Sequence, residues 1–309
     1  MGEATLAADD DYEEFGFLEA TAAEYGLPWT SSPVISRGAF EVGPGQSLSY
    51  LKWGAATPEL VFLHGGGQNA HTWDTVALAL GRPTLAIDLP GHGRSSWRED
   101  RDYSPWKNAE ALGAALPTLA PQAAAVIGMS LGGATNIRLA AERPDLVRKA
   151  VIVDVSPQVN DPTRQMTRAD RGAVALIAGP PTYDSLEAMA EAAIALSPNR
   201  SPESVRRGVR HNARRAPDGR WGWRYDLFGG PRPGMDFTRL WDDVSRIRQP
   251  AMLVLGGDSQ FVAEADQAEM RRRIPSLRVE VVAGAGHAVQ SDQPQALVRL
   301  IEDFVFAGG

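Results

Sequence analysis

Gly128-Met129-Ser130-Leu131-Gly132-Gly133 decides the reading of this chain. It follows the apolar run Ala123-Ala124-Ala125-Val126-Ile127 and precedes the helical run Ala134-Thr135-Asn136-Ile137-Arg138-Leu139-Ala140. That context predicts strand, sharp turn, helix. A serine at such a turn takes a strained backbone conformation and exposes its hydroxyl above the sheet. Small residues two before and two after it let strand and helix approach closely. A bare G-x-S-x-G also occurs in ordinary glycine-rich turns; the strand before it and the helix after it make this one a nucleophile elbow.

Outward from that turn, strands and helices alternate. Strand-like runs cover Val34 to Val42, Ser47 to Trp53, Leu60 to Leu63, Thr84 to Ile87, Ala123 to Ile127 and Ala150 to Val153. Helical patterns cover Ala109 to Leu119 and residues 131–142. Nearly continuous apolar strands in such a rhythm predict a parallel sheet covered on both faces. The rhythm breaks near Ser156 and resumes near Asp236 with Ala251 to Leu255, Ala263 to Arg273, Val279 to Val282 and Gln295 to Phe304. An insertion rooted after a strand tip, where ligands bind in open α/β sheets, reads as a cap over a site. Residues 1–11 are expected to be disordered, and 12–26 to form a short acidic amphipathic helix with Phe15, Leu18 and Ala22 on one face.

The composition excludes several classes. The chain has 309 residues, a formal net charge of −7 and no cysteine. An acidic balance argues against nucleic-acid binding. Disulfides, thiolate metal sites and cysteine nucleophiles are impossible. The N-terminus lacks a basic region followed by an apolar one, and no stretch of about 18 apolar residues occurs. The expectation is a cytoplasmic protein with no membrane contact, a monomer or homodimer acting on a small-molecule substrate.

A serine hydroxyl needs a base within hydrogen-bond reach and an acid to orient that base. The histidines are His64, His71, His92, His211 and His287. His287, in Gly284-Ala285-Gly286-His287-Ala288, directly follows the last predicted strand, at the same sheet edge as Ser130, and is the expected base. His64 is expected to brace its turn. The Gly65-Gly66-Gly67 tract behind it can present a backbone N–H to a developing oxyanion, with Gly66 the expected donor and Gly67 the alternative. The N–H of Leu131 supplies the second donor. Asp154 and Asp258 both stand at strand tips, and chain order does not separate them. The scattered histidines lack ligand spacing and no dinucleotide fingerprint follows the first strands, so no metal and no cofactor is expected.

His64-Gly65-Gly66-Gly67, Asp88-Leu89-Pro90-Gly91-His92-Gly93, Gly128-Met129-Ser130-Leu131-Gly132 and Gly286-His287 together resemble the α/β-hydrolase fold superfamily over residues 34–307. The resemblance implies an α/β class fold: a mostly parallel eight-stranded sheet, helices on both faces and a helical cap insertion. The expected organisation is an N-terminal extension (1–33), a core (34–156 and 237–309) and a cap (157–236). The resemblance also bears on the acid. Many relatives carry it three residues beyond a glycine after the seventh strand, a position that here is Ser259. Others carry it after the sixth strand, shortly before a proline, as in Val153-Asp154-Val155-Ser156-Pro157. That favours Asp154 over Asp258.

The implied activity is a Ser-His-Asp hydrolase of an ester or lactone bond in a small hydrophobic substrate. The alternatives are a cofactor-free C–C bond hydrolase on a ketone-containing metabolite, and a non-catalytic ligand receptor of the same fold. Relatives that use an aspartate nucleophile are excluded by Ser130. Many C–C hydrolases place an aromatic after the base, where this chain has Ala288. Trp73, Met129, Trp106 and Trp223 are the expected substrate-lining residues. The cap arginines Arg206, Arg207, Arg210, Arg214 and Arg215 read as a solvated face rather than an anion site.

Overall fold

A computed structural model describes residues 12–159, 180–226 and 236–307. The expected disorder of residues 1–11 falls outside them. Among the described residues the main sheet has eight strands: β1 (Ile35–Gly43), β2 (Gln46–Trp53), β3 (Leu60–Leu63), β4 (Thr84–Ile87), β5 (Ala125–Met129), β6 (Ala150–Val153), β10 (Ala251–Gly256) and β11 (Arg278–Val282). Their order is β1-β2-β4-β3-β5-β6-β10-β11. Only β2 runs against its neighbours; the pairs from β4 to β11 are parallel. Chain order reverses between β3 and β5, so the loops leaving these two strands face a common crevice at the carboxyl edge.

Alternating side chains of the buried strands feed two layers. Val61, Leu63, Val126, Ile152 and Leu253 pack with α3 (Pro105–Leu119), α4 (Leu131–Glu142), α7 (Leu240–Val244) and α8 (Glu264–Arg273). Phe62, Ile127, Val151, Val153 and Val254 pack with α1 (Leu18–Glu24), α2 (Asp74–Leu80), α9 (Val289–Asp292) and α10 (Pro294–Phe306). The period-2 alternation of the strands thus builds one core on each sheet face. The expected helix at 12–26 is shorter, Leu18–Glu24: residues 14–17 form a turn before it, and Gly26, at φ 62°, follows its C-terminal end.

The described part of the insertion has helices α5 (Leu186–Ala195) and α6 (Pro202–Asn212), capped by Ser185 and Ser201. It also has a small antiparallel sheet of β7 (Thr182–Tyr183), β8 (Ala213–Arg215) and β9 (Trp221–Trp223), so it is not purely helical. The alternating aromatics Trp221 and Trp223 form the central strand of that sheet. Tyr183, Met189, Val205, Val209, Trp223 and Tyr225 give it a core of its own.

Candidate active site

The elbow follows from two close backbone approaches. A Cβ on Gly128 would lie 2.2 Å from the carbonyl oxygen of Gly132, and one on Gly132 would lie 2.3 Å from that of Leu63. Only glycine fits where α4 crosses the tips of β5 and β3. Ser130 is held at φ 52°, ψ −115°, with its N–H donating to the Val153 carbonyl at 3.0 Å. A positive φ at a non-glycine residue is strained and persists only where surrounding structure enforces it.

The turn aims Ser130 at the loop after β11. Ser130 Oγ lies 3.0 Å from Nε2 of His287, and Nδ1 of His287 lies 2.8 Å from Oδ2 of Asp154. Asp154 is 1% exposed and also has a positive φ, 52°. Its Oδ1 accepts the N–H of Gly256 (3.0 Å) and its Oδ2 accepts the hydroxyl of Ser259 (2.5 Å). Both carboxylate oxygens are therefore hydrogen-bonded, as a buried carboxylate requires. Asp258 is exposed, and its backbone N–H bonds the Ala285 carbonyl; the structure brings Asp154 and not Asp258 to His287. Gly256 permits this meeting: a Cβ there would sit 2.1 Å from the Gly286 carbonyl oxygen. Just after the acid, Ser156 Oγ donates to Asp266 Oδ2 at 2.8 Å, tying the chain to the first turn of α8.

Leu131 is the first residue of α4, so its N–H has no partner within the helix. Across the crevice the loop after β3 is braced by His64, whose Nδ1 bonds the Gly65 carbonyl (2.8 Å) and whose Nε2 accepts the N–H of Leu89 (2.9 Å). Burial lowers the pKa of His64, keeping it neutral and suited to one donor and one acceptor bond. Gln68 Oε1 takes the Gly65 N–H, and Asn212 of α6 donates to the Gly67 carbonyl at 2.7 Å. Nothing lies within 4 Å of where a Gly66 Cβ would be, so this residue faces open space.

The expected substrate-lining residues divide. Trp73 is fully buried and stacks on Phe62 at 4.8 Å; it is a core residue, because helical spacing in its 3-10 turn faces it to the sheet. Trp106, in the first turn of α3, has the Arg239 guanidinium over its ring and packs on the α3 and α4 side of the sheet, facing a hollow lined by Arg138, Glu142 and Arg143 rather than by Ser130. Both expectations are corrected. Met129 is 2% exposed, and its sulfur lies 2.5 Å from where a Gly65 Cβ would be, just below the crevice. Trp223, 4% exposed within the insertion's own core, borders a cavity of about 170 Å³ between α1, α6, α9 and the loop carrying Gly67 and Gln68, which neither Ser130 nor His287 lines. The cap arginines are engaged on the surface: Arg206 pairs with Glu187 and Glu191, Arg207 with Glu24, and Arg214 lies over Trp97.

The histidines are less scattered than the sequence suggests. His71 and His211 stack at 3.8 Å with planes 13° apart, and Asp74 Oδ2 takes Nδ1 of His71 at 2.7 Å. Tyr12 bonds His211 Nδ1 (2.6 Å) and Glu14 bonds His71 Nε2 (3.0 Å). Burial alone would lower His71, but Asp74 and Glu14 outweigh it and push its pKa up to about 9. Burial and the neighbouring His71 and Arg37 charges hold His211 well below the ordinary range. The two rings thus form an imidazolium–imidazole pair. Asp74 and both rings place ligand atoms within 4.8 Å of one another, but parallel stacked rings do not aim both lone pairs at one ion, and Arg37 lies 3.3 Å from His71. The cluster fastens Tyr12 and Glu14 to the core and to α6. No spacing rule joins positions 12, 14, 71, 74 and 211, so the sequence hides it.

A strand-tip serine on an elbow, a histidine bridging it to a buried aspartate and two loops converging at the switch point define a serine hydrolase of the α/β type. The comparison with known families agrees: residues 60–300 match the Alpha/beta hydrolase family, and the chain belongs to it. Esterase Rv0045c of Mycobacterium tuberculosis is 47% identical over 300 residues, covering 96% of this chain and 98% of that protein. Its crystal structure superimposes with a TM-score of 0.82 over 94% of this chain and 97% of that one. The sn-1-specific diacylglycerol lipase ABHD11 of Mus musculus is 29% identical, covering 84% of each.

Proposed function

We propose that Ser130, His287 and Asp154 are the catalytic triad of this carboxylic ester hydrolase, and that Gly66 and Leu131 supply its oxyanion hole. Ser130 attacks the acyl carbonyl as His287 Nε2 takes its proton. Asp154 holds the imidazole tautomer and stabilises the imidazolium. The tetrahedral oxyanion rests on the N–H groups of Gly66 and Leu131, each worth roughly 3–4 kcal/mol on removal in comparable sites. His287 returns the proton to the leaving alcohol. Water, deprotonated by the same nitrogen, then attacks the acyl-enzyme and releases the acid.

The observation that carries this reading is the unbroken run Ser130 Oγ, His287 Nε2, His287 Nδ1, Asp154 Oδ2, with links of 3.0 and 2.8 Å. The expected substrate is a small ester with an apolar acyl group, in keeping with Met129 beneath the crevice and with the esterase and lipase named among its relatives. In this reading the core carries the chemistry, and the described part of the insertion, residues 180–226, covers it, with Asn212 donating to the Gly67 carbonyl. Labelling with a fluorophosphonate probe tests the reading. A single adduct on Ser130, lost in His287→Ala, together with turnover on a panel of p-nitrophenyl esters, is expected. No adduct near neutral pH in a folded sample overturns it.

A further inference from the structure

One more side chain touches the reacting histidine. Phe261 lies flat against the His287 imidazole, ring centroids 3.6 Å apart and planes 13° apart. It is 6% exposed and belongs to the core cluster that includes Leu255, Val262 and Leu240, so its ring has little freedom. Its backbone is fixed as well: the Phe261 N–H donates to Ser259 Oγ at 3.2 Å, and that hydroxyl donates to Asp154. The segment from Gly256 to Phe261 therefore grips both the aspartate and the imidazole. Gly256 and Ser259 hold the aspartate, and Phe261 covers one face of the ring.

We infer that Phe261 is a positioning residue for the hydrolytic reaction, locking the His287 ring in the plane that joins Asp154 to Ser130. This rests on the triad reading above. His287 has to satisfy two partners at once, and both bonds are best when Oδ2 of Asp154 and Oγ of Ser130 lie in the ring plane. Rotation about the Cβ–Cγ bond would lose both together. That rotation sweeps the ring edge through the volume of a flat neighbour 3.6 Å away, so Phe261 blocks it. An aromatic face is also the negative end of a quadrupole. It favours the imidazolium formed when His287 takes the serine proton, and it does so more in that state than with the neutral ring. Leucine of similar apolar bulk reproduces neither the flat wall nor the quadrupole.

Phe261→Tyr, Phe261→Leu and Phe261→Ala, assayed on one p-nitrophenyl ester, test the inference, with thermal melts to establish folding. Phe261→Tyr is expected to keep the parent kcat. Phe261→Leu is expected to lose about tenfold and Phe261→Ala up to about 100-fold, the scale of a misplaced catalytic group, with KM unchanged. The downfield proton resonance of the His287–Asp154 hydrogen bond should broaden in the same order. A Phe261→Leu protein with full kcat and a sharp resonance overturns the inference. So does a change confined to KM, which would make Phe261 a substrate contact. If Phe261→Ala does not fold, the Leu and Tyr variants decide. Ser130→Ala and His287→Ala run in parallel: turnover surviving in these sinks the triad reading itself, whereas their loss beside an unaffected Phe261→Leu sinks only the role of Phe261.

Discussion

The hydroxyl of Ser259 donates to Oδ2 of Asp154, the oxygen that also takes His287 Nδ1. The acid stands at the tip of β6 and its hydroxyl donor three residues beyond Gly256 at the tip of β10. They meet because β6 and β10 are adjacent and parallel, so their tips open onto the same point.

The first prediction separates the two aspartates. Asp154→Asn leaves His287 without an acceptor that fixes its tautomer, and turnover should fall by roughly 10³–10⁴. Asp258→Asn, on the exposed turn, should keep the parent rate. Steady-state kinetics on one ester settles it; the opposite pattern refutes the assignment.

Ser259→Ala removes one hydrogen bond to a buried carboxylate without removing the carboxylate. A cost of about 1.5 kcal/mol in the transition state corresponds to a kcat lower by about tenfold. Loss as deep as that of Asp154→Asn would mean that Ser259 does more than hold the acid.

The stacked histidines predict a pH optimum of stability. His71 is raised to about 9 from an ordinary 6.5, so its contribution is complete below pH 6.5 and disappears as pH rises through about 9. His211 is depressed well below 6.5, so the unfolded chain takes up a proton that the folded one refuses, and stability falls as pH drops below 6.5. Glu14, for which the His71 bond and the Arg37 and Arg94 charges outweigh burial, is held at about 2. Its contribution is present above 4.5 and is lost as pH falls towards 2. Melting temperatures across pH 4–10 should peak near 6.5. His71→Gln should flatten the alkaline limb and His211→Asn the first part of the acid limb. Unchanged limbs would mean that the cluster does not titrate as a unit.

Trp73→Phe tests the corrected role of this tryptophan. A fully buried ring stacked on Phe62 contributes packing, so the variant should lower the melting temperature by several degrees. The ratio of KM values across ester chain lengths should stay as in the parent. A shifted chain-length profile would return Trp73 to the substrate pocket.

Much of this was written in local sequence. Strand runs flanked by turn residues located the eight main strands to within a few residues. The elbow and the glycines beside it announced themselves because each spacing is fixed by one backbone contact, Gly128 on Gly132 and Gly132 on Leu63. Other features had no local signature. The choice between Asp154 and Asp258 depends on which side chain the strand tip turns inward, and the residue count to a glycine expresses that only by analogy. Trp73 and Trp106 were misplaced because nearness in sequence to a site loop says nothing about which sheet face a ring enters. The contact of Phe261 with His287 joins two loops 26 positions apart, and the cluster of Tyr12, Glu14, His71, Asp74 and His211 joins three separate segments. Only tertiary packing brings such groups together.

The bond from Ser156 to Asp266 has a mechanical consequence. The chain leaves the core for the inserted segment only a few positions beyond the acid, so any displacement of that segment would pull on Asp154 through the backbone. Ser156 acts as an anchor bolt between them: tension arriving from the insertion is borne by the first turn of α8, not by the reacting groups. The length and composition of the chain inserted beyond Ser156 can therefore vary while the Asp154 strand tip keeps its place.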